Sequence, residues 1–167
     1  IRGELADELK KTPGLALKPV VIQGTFWLYF PDQWDPKSPW HDRRVRQAAS
    51  LAIDRNTINQ ALTLGHSRLT GSIIPDSFEY YWPTPAPAFD LAKAKQLMTE
   101  AGYPSGFEVQ LDCPNNRYIQ DEEICVALAA MWDKIGVKVK VATLPRVTYF
   151  PKLEKFDTSM YMLGWGG

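Results

Sequence analysis

A few groups of side chains in this sequence have the types and spacing that chemistry needs. Arg43, Arg44 and Arg46 crowd the start of an apolar helical pattern, with Arg55 and Arg68 a little further on. A basic helix of this kind could read nucleic acid, lie on a membrane surface, or face solvent. Cys113 and Cys125 could be two buried thiols or one disulfide in an oxidising compartment, and their spacing leaves both readings open. Only two histidines are present, His41 and His66, so a zinc site has little support. Glu122 and Glu123 are neighbours on a predicted helix and point apart, which suits a solvated face rather than an acid–base pair.

The balance of charge decides part of this. Lys+Arg and Asp+Glu are 19 each, giving a net charge of zero. A nucleic-acid domain usually carries a basic excess on one face, and the arginine cluster lacks the interleaved aromatics of a single-strand platform. No apolar run approaches the roughly 20 residues that span a bilayer. No glycine-rich phosphate loop and no G-x-S-x-G elbow occurs. The expectation is therefore no catalysis, no metal, no cofactor and no nucleic acid.

The elements that would position these residues read as α/β. A short helix is predicted over Glu4–Lys11, then two strand segments across Leu15–Phe30 with a bend between them, then a proline loop over Pro31–Pro39. Asp42 is a good N-cap for a helix whose inward face is Val45, Ala48, Ala49 and Ala52. Asp54 caps a second short helix with Ile58, Ala61 and Leu62 apolar, and Gly65–Pro87 is turn-rich. Asp90–Ala101 is the clearest helix, ended by Gly102. Phe107, Val109 and Leu111 alternate with polar residues as a strand, Ile119–Ile135 is a long helix, and Val137, Val139 and Val141 form the next strand. Strand, helix, strand predicts a parallel, right-handed βαβ unit. A last helix over Arg146–Lys155 and a last strand over Thr158–Leu163 complete the chain.

Three stretches together resemble one family. Asp42-Arg43-Arg44-Val45-Arg46-Gln47-Ala48, running on to Ala52-Ile53-Asp54-Arg55, is similar to its D-x-R-V-R-Q-A…A-I-D-R pattern. Phe89-Asp90-Leu91-Ala92-Lys93-Ala94-Lys95-Gln96-Leu97, through Glu100-Ala101-Gly102-Tyr103-Pro104 and Gly106-Phe107, resembles Y-D-P-x-K-A-K-x-L-L…A-G-Y-P-x-G-F. Ile135-Gly136-Val137-Lys138-Val139, followed by Gly164-Trp165, is similar to its closing I-G-I-x-V…G-W. The family is the extracytoplasmic solute-binding proteins of ABC importers, of the dipeptide, oligopeptide and nickel type (family 5).

The resemblance implies one lobe of a type II periplasmic-binding-protein-like fold, a mixed sheet flanked by helices, over residues 1–167. It makes the arginine helix part of the scaffold, its alanine face packed close to the sheet. The other lobe and the signal peptide would lie outside the chain. The implied role is capture of a peptide or similar small solute in an interlobe cleft, as a monomer, for delivery to ABC permease subunits outside the cytoplasm. The alternative is a ligand-sensing domain of a transcriptional or chemotactic receptor on the same fold.

The expected ligand-binding residues are Gln23, Thr25, Trp27, Asn116, Arg117, Gly164 and Trp165, at strand ends beside the hinge. An extracytoplasmic setting favours a Cys113–Cys125 bridge, which would stiffen the loop Asn115–Tyr118. The chain departs from the family in ending its first strand on Phe30-Pro31 rather than Phe-Asn, and in carrying Met162 where some oligopeptide binders have arginine. In peptide-binding members an aspartate after the Gly-Trp holds the ligand's amino terminus. That position lies beyond Gly167, which leaves the ligand class open.

Overall fold

The computed structural model describes residues 3–18, 20 and 22–166. Helix α1 (Gly3–Lys10) comes first, then strand β1 (Gly24–Tyr29). Aspartates set the starts of the next three helices. Asp42 accepts the Arg44 N–H at 2.8 Å ahead of α2 (Arg43–Leu51). Asp54 accepts the Thr57 N–H at 3.0 Å ahead of α3 (Arg55–Thr63), and Asp90 the Lys93 N–H at 2.9 Å ahead of α4 (Leu91–Glu100). Each satisfies an N–H that the first helical turn leaves without a partner.

The second half alternates strand and helix: β2 (Phe107–Pro114), α5 (Asp121–Asp133), β3 (Val137–Leu144), α6 (Arg146–Glu154) and β4 (Tyr161–Gly166). β2 and β3 pair in parallel from Phe107↔Val137 to Pro114↔Leu144, with α5 as the crossover. β4 joins β2 in parallel at Asp112↔Tyr161, and β1 runs antiparallel to β4 from Gly24↔Gly166 to Tyr29↔Tyr161. The result is a four-stranded mixed sheet in the order β1-β4-β2-β3.

The alanine face of α2 is buried, as its spacing predicts, but its main neighbour is α4 rather than the sheet. Small side chains let two helix backbones approach closely. Two tryptophans fill the layer between helices and strands. Trp132 of α5 donates its indole N–H to the Ala49 carbonyl at 2.8 Å. Trp40 stacks among Phe30, Phe107 and Trp132, with ring centroids 4.7, 5.2 and 6.1 Å away.

Three of the arginines that opened the question, Arg44, Arg46 and Arg55, are brackets for backbone. Arg44 forks onto Asp42 and donates to the Glu100 carbonyl at the end of α4 at 2.7 Å. Arg46 donates to the carbonyls of Trp40 and His41. Arg55 donates to the Ser50 and Ile53 carbonyls, and its burial lowers the guanidinium pKa from the usual value. These contacts hold loop to helix.

Some expectations need correction. The first of the two strand segments expected in Leu15–Phe30 is not found among the described residues. Among the described residues there, Leu15–Lys18, Val20 and Ile22–Gln23 take no regular structure; Pro19 and Val21 lie outside the described residues. Val20 is 84% exposed. Strand-forming side chains need a neighbouring strand to pack against, and that stretch has none among the described residues. The loop Pro31–Pro39 contains 3-10 turns, Pro31–Trp34 and, at its end, Pro39–His41. Helix α5 starts at Asp121, later than Ile119, because Gln120 sits in the left-handed region at φ 56°. β4 begins later than Thr158 and runs on through Gly164 and Trp165.

Candidate functional site

β2 and β4 run in the same direction, and β1 opposes β4, so the start of β1 meets the far ends of β2 and β4. Gly24–Phe26, the loop Asn115–Tyr118 and Gly164–Trp165 therefore converge at the carboxyl end of the parallel strands. Open α/β sheets bind ligands at that end. Trp165 is 70% exposed there, while its cross-strand partner Thr25 is buried. Trp27 is half-buried opposite Leu163, and Gln23 is exposed just before β1. The pleat puts Thr25, Trp27 and Trp165 on one face.

Gly164 belongs to the opposite face. A Cβ built on it would lie 2.5 Å from the Phe26 ring and 3.0 Å from the Tyr118 ring. Those rings pack at a tilt of 50° with centroids 5.1 Å apart, so only glycine fits beneath them. The Tyr118 hydroxyl donates to the Gly164 carbonyl at 2.9 Å.

The loop before α5 is fixed at both ends. Asp121 is 4% exposed, and one carboxylate oxygen accepts the Arg117 and Tyr118 N–H groups, each at 2.9 Å. Cys113 and Cys125 are joined across the loop's base, with their Cα atoms 6.6 Å apart. Arg117 is exposed, its guanidinium carbon 4.9 Å above the Tyr118 ring. Asn116 is also exposed, yet its side-chain oxygen accepts the Arg146 N–H at 2.8 Å and so caps α6 from another loop.

Of the expected ligand residues, Arg117, Gly164, Trp165 and Thr25 are brought to one end of the sheet. Trp27 lies further along β1, and the Asn116 oxygen is occupied by structure. Tyr118, Phe26 and Asp121 were missed as parts of this site. Nothing local in sequence marks a tyrosine that reaches a strand 46 positions away. Asp121 carries a weak signal, an acid at the first turn of a predicted helix.

Behind the strand ends lies a second polar cluster. Asp112 is 1% exposed and accepts from Lys152 at 2.6 Å and from Gln110 at 2.9 Å. Tyr149 of α6 is fully buried and donates to the Met162 carbonyl; burial pushes its phenol pKa well above the ordinary value. Among the described residues, no three of His, Cys, Asp and Glu converge as metal ligands. A cavity of about 460 Å³ sits at the free edge of β1, lined by Phe26, Leu28, Ile53, Arg55, Ile58 and Leu128 among others. Trp165 takes no part in it.

Residues 2–167 match the family model for bacterial extracellular solute-binding proteins, family 5, middle. The chain belongs to that family. It is similar to the periplasmic murein peptide-binding protein of Escherichia coli K12, 29% identical over 95% of this chain and 30% of that protein. It is also similar to di/tripeptide-binding protein 1 of Pseudomonas aeruginosa, 30% identical over 96% of this chain and 30% of that protein. Among solved structures, the Escherichia coli murein tripeptide-binding protein superposes at TM-score 0.76 with 28% identity, covering 98% of this chain and 33% of that one. The dipeptide-binding protein of Pseudoalteromonas in complex with Met-Leu superposes at 0.85 with 24% identity over 98% of this chain and 32% of that one, a likeness of fold. The chain spans about a third of these relatives' length.

Proposed function

We propose that this chain is one lobe of a two-lobed solute receptor, which captures a peptide or similar small solute between its lobes and hands it to ABC permease subunits in the membrane. The observation that carries this reading is Trp165, a large apolar side chain 70% exposed at the carboxyl end of the parallel strands, on a strand held by its neighbours. A flat aromatic wall beside backbone that a glycine keeps accessible suits a peptide-like ligand. The names of the relatives, murein peptide- and di/tripeptide-binding, support the same ligand class. The word periplasmic in the name of one supports an extracytoplasmic location.

The role needs binding without chemistry, and a monomer suffices for it. Arg117, Gly164 and Trp165 are the residues of this lobe assigned to the ligand wall, with Thr25 and Gln23 beside them and Trp27 further along the strand. Calorimetry tests the reading. The intact protein should bind a short-peptide mixture, and this lobe alone should bind it negligibly, since a clamp draws its energy from both jaws and from excluding water between them. Submicromolar binding by the lobe alone overturns the two-jaw reading, and no binding by the intact protein overturns the peptide.

A further inference from the structure

The side of β4 that faces β2 has more carbonyl groups than β2 can satisfy. Backbone groups on a strand point to alternate sides, so the carbonyls of Met160, Met162 and Gly164 share one direction. The first accepts the Asp112 N–H of β2 at 3.0 Å. β2 then ends at Pro114, and its one ladder pairing with β4 is Asp112↔Tyr161. The next two carbonyls are taken by side chains: Met162 by the Tyr149 hydroxyl, and Gly164 by the Tyr118 hydroxyl at 2.9 Å. Two phenols thus continue a ladder that β2 stops supplying at Pro114, its last residue, which has no N–H.

The two differ in surroundings. Tyr149 is fully buried under α6 and belongs to the core. Tyr118 is half-buried on the loop that Asp121 and the Cys113–Cys125 pair hold, and it grips the residue immediately before Trp165. Its ring also closes over Gly164 together with Phe26.

We infer that Tyr118 is a positioning residue for ligand capture: its hydroxyl fixes the Gly164 peptide and so aims the Trp165 indole. This rests on the proposed binding role of Trp165. β1 holds only the other side of β4, so without the hydroxyl the Gly164 peptide would be fixed on one side alone and the direction of the indole would be less closely set. An immobilised wall binds better because less ordering remains to be done when the ligand arrives.

The test is Tyr118→Phe in the intact protein, which keeps the ring over Gly164 and removes only the hydroxyl. Hydrogen exchange across Tyr161–Gly166 and calorimetric affinity for Met-Leu are measured beside the thermal midpoint. The expected result is faster exchange in Tyr161–Gly166 with β2 and β3 unchanged. Affinity should fall about five- to tenfold, the scale of one lost hydrogen bond, with the midpoint shifted by no more than about 3 °C. Unchanged exchange overturns the inference, whatever happens to affinity. Faster exchange with wild-type affinity also overturns it, since the bond would then be only structural. If the wild type fails to bind Met-Leu, the series is run with the tetrapeptide Ser-Thr-Ser-Ala. If neither peptide binds, the peptide reading fails separately and exchange alone decides whether Tyr118 fixes the strand.

Discussion

The side-chain oxygen of Asn116 lies 2.8 Å from the backbone nitrogen of Arg146, on a different loop 30 positions later. Helix α6 has Pro145 at its N-cap, which offers no side-chain acceptor, and Asn116 supplies one from outside. The loop at the candidate site and the helix behind it are therefore one unit.

Asn116→Ala should destabilise the protein by about 1 kcal/mol, the usual cost of a lost N-cap. Asn116→Asp should hold or improve stability, since a carboxylate also accepts the bond and suits a helix N-terminus. Urea unfolding of both variants checks this. Equal stability of the alanine variant and the wild type would show the cap to be idle.

Gly164→Ala places a methyl group where the Phe26 ring stands. The expected cost is about 1–3 kcal/mol, typical of overpacking. Shrinking the obstacle with Phe26→Leu in the same chain should recover part of it. Thermal melts of the two single variants and the double variant give the coupling, and strict additivity would contradict the contact.

Unfolded but unreduced protein should react with no thiol reagent, because Cys113 and Cys125 are bridged. Replacing both with serine should cost about 3 kcal/mol in the chain-entropy model for so short a loop. Two reactive thiols per chain would refute the bridge.

Asp42 and Asp54 give the stability a defined acid limb. The Arg44 side chain holds the Asp42 carboxyl below its ordinary value, and the Thr57 backbone N–H does most to hold Asp54 there. A carboxylate depressed in the folded state stabilises fully above its unfolded pKa, roughly 3.9 for aspartate, and loses that as pH falls through the lower folded value. The stability gap between the wild type and Asp54→Ala should be widest near pH 6 and narrow as pH drops below about 4. A gap unchanged at low pH would mean that the carboxylate charge contributes nothing.

Much of this framework was legible locally. Asp42, Asp54 and Asp90 announce their helices because an N-cap acts within three residues. The βαβ unit shows because alternation in Phe107–Leu111 and Val137–Val141 brackets a helical stripe. The segment before β1 misled because Leu15, Val20 and Ile22 have apolar, strand-like side chains but meet no strand among the described residues. At the site, Gly164-Trp165 stood out through the family resemblance. Tyr118 did not, since its partner is fixed only by the register of β4, which no local pattern encodes. Asn116 was expected at the ligand, and its bond to Arg146 depends on how two loops meet in space.

The pairing Gly24↔Gly166 joins two strands that lie far apart in sequence. β2, α5 and β3 are consecutive and can assemble as soon as they leave the ribosome, whereas β1, made before them, has no β4 to pair with until β4 is complete. While the segment between β1 and β4 is being made, Phe26, Trp27 and Leu28 must wait without that partner strand. Long-range closure of this kind is slow and leaves such segments open to misassociation. Of the four strands of this sheet, the one made last shelters the one made first, so the end of the sheet with Trp165 is finished only when β4 has been made.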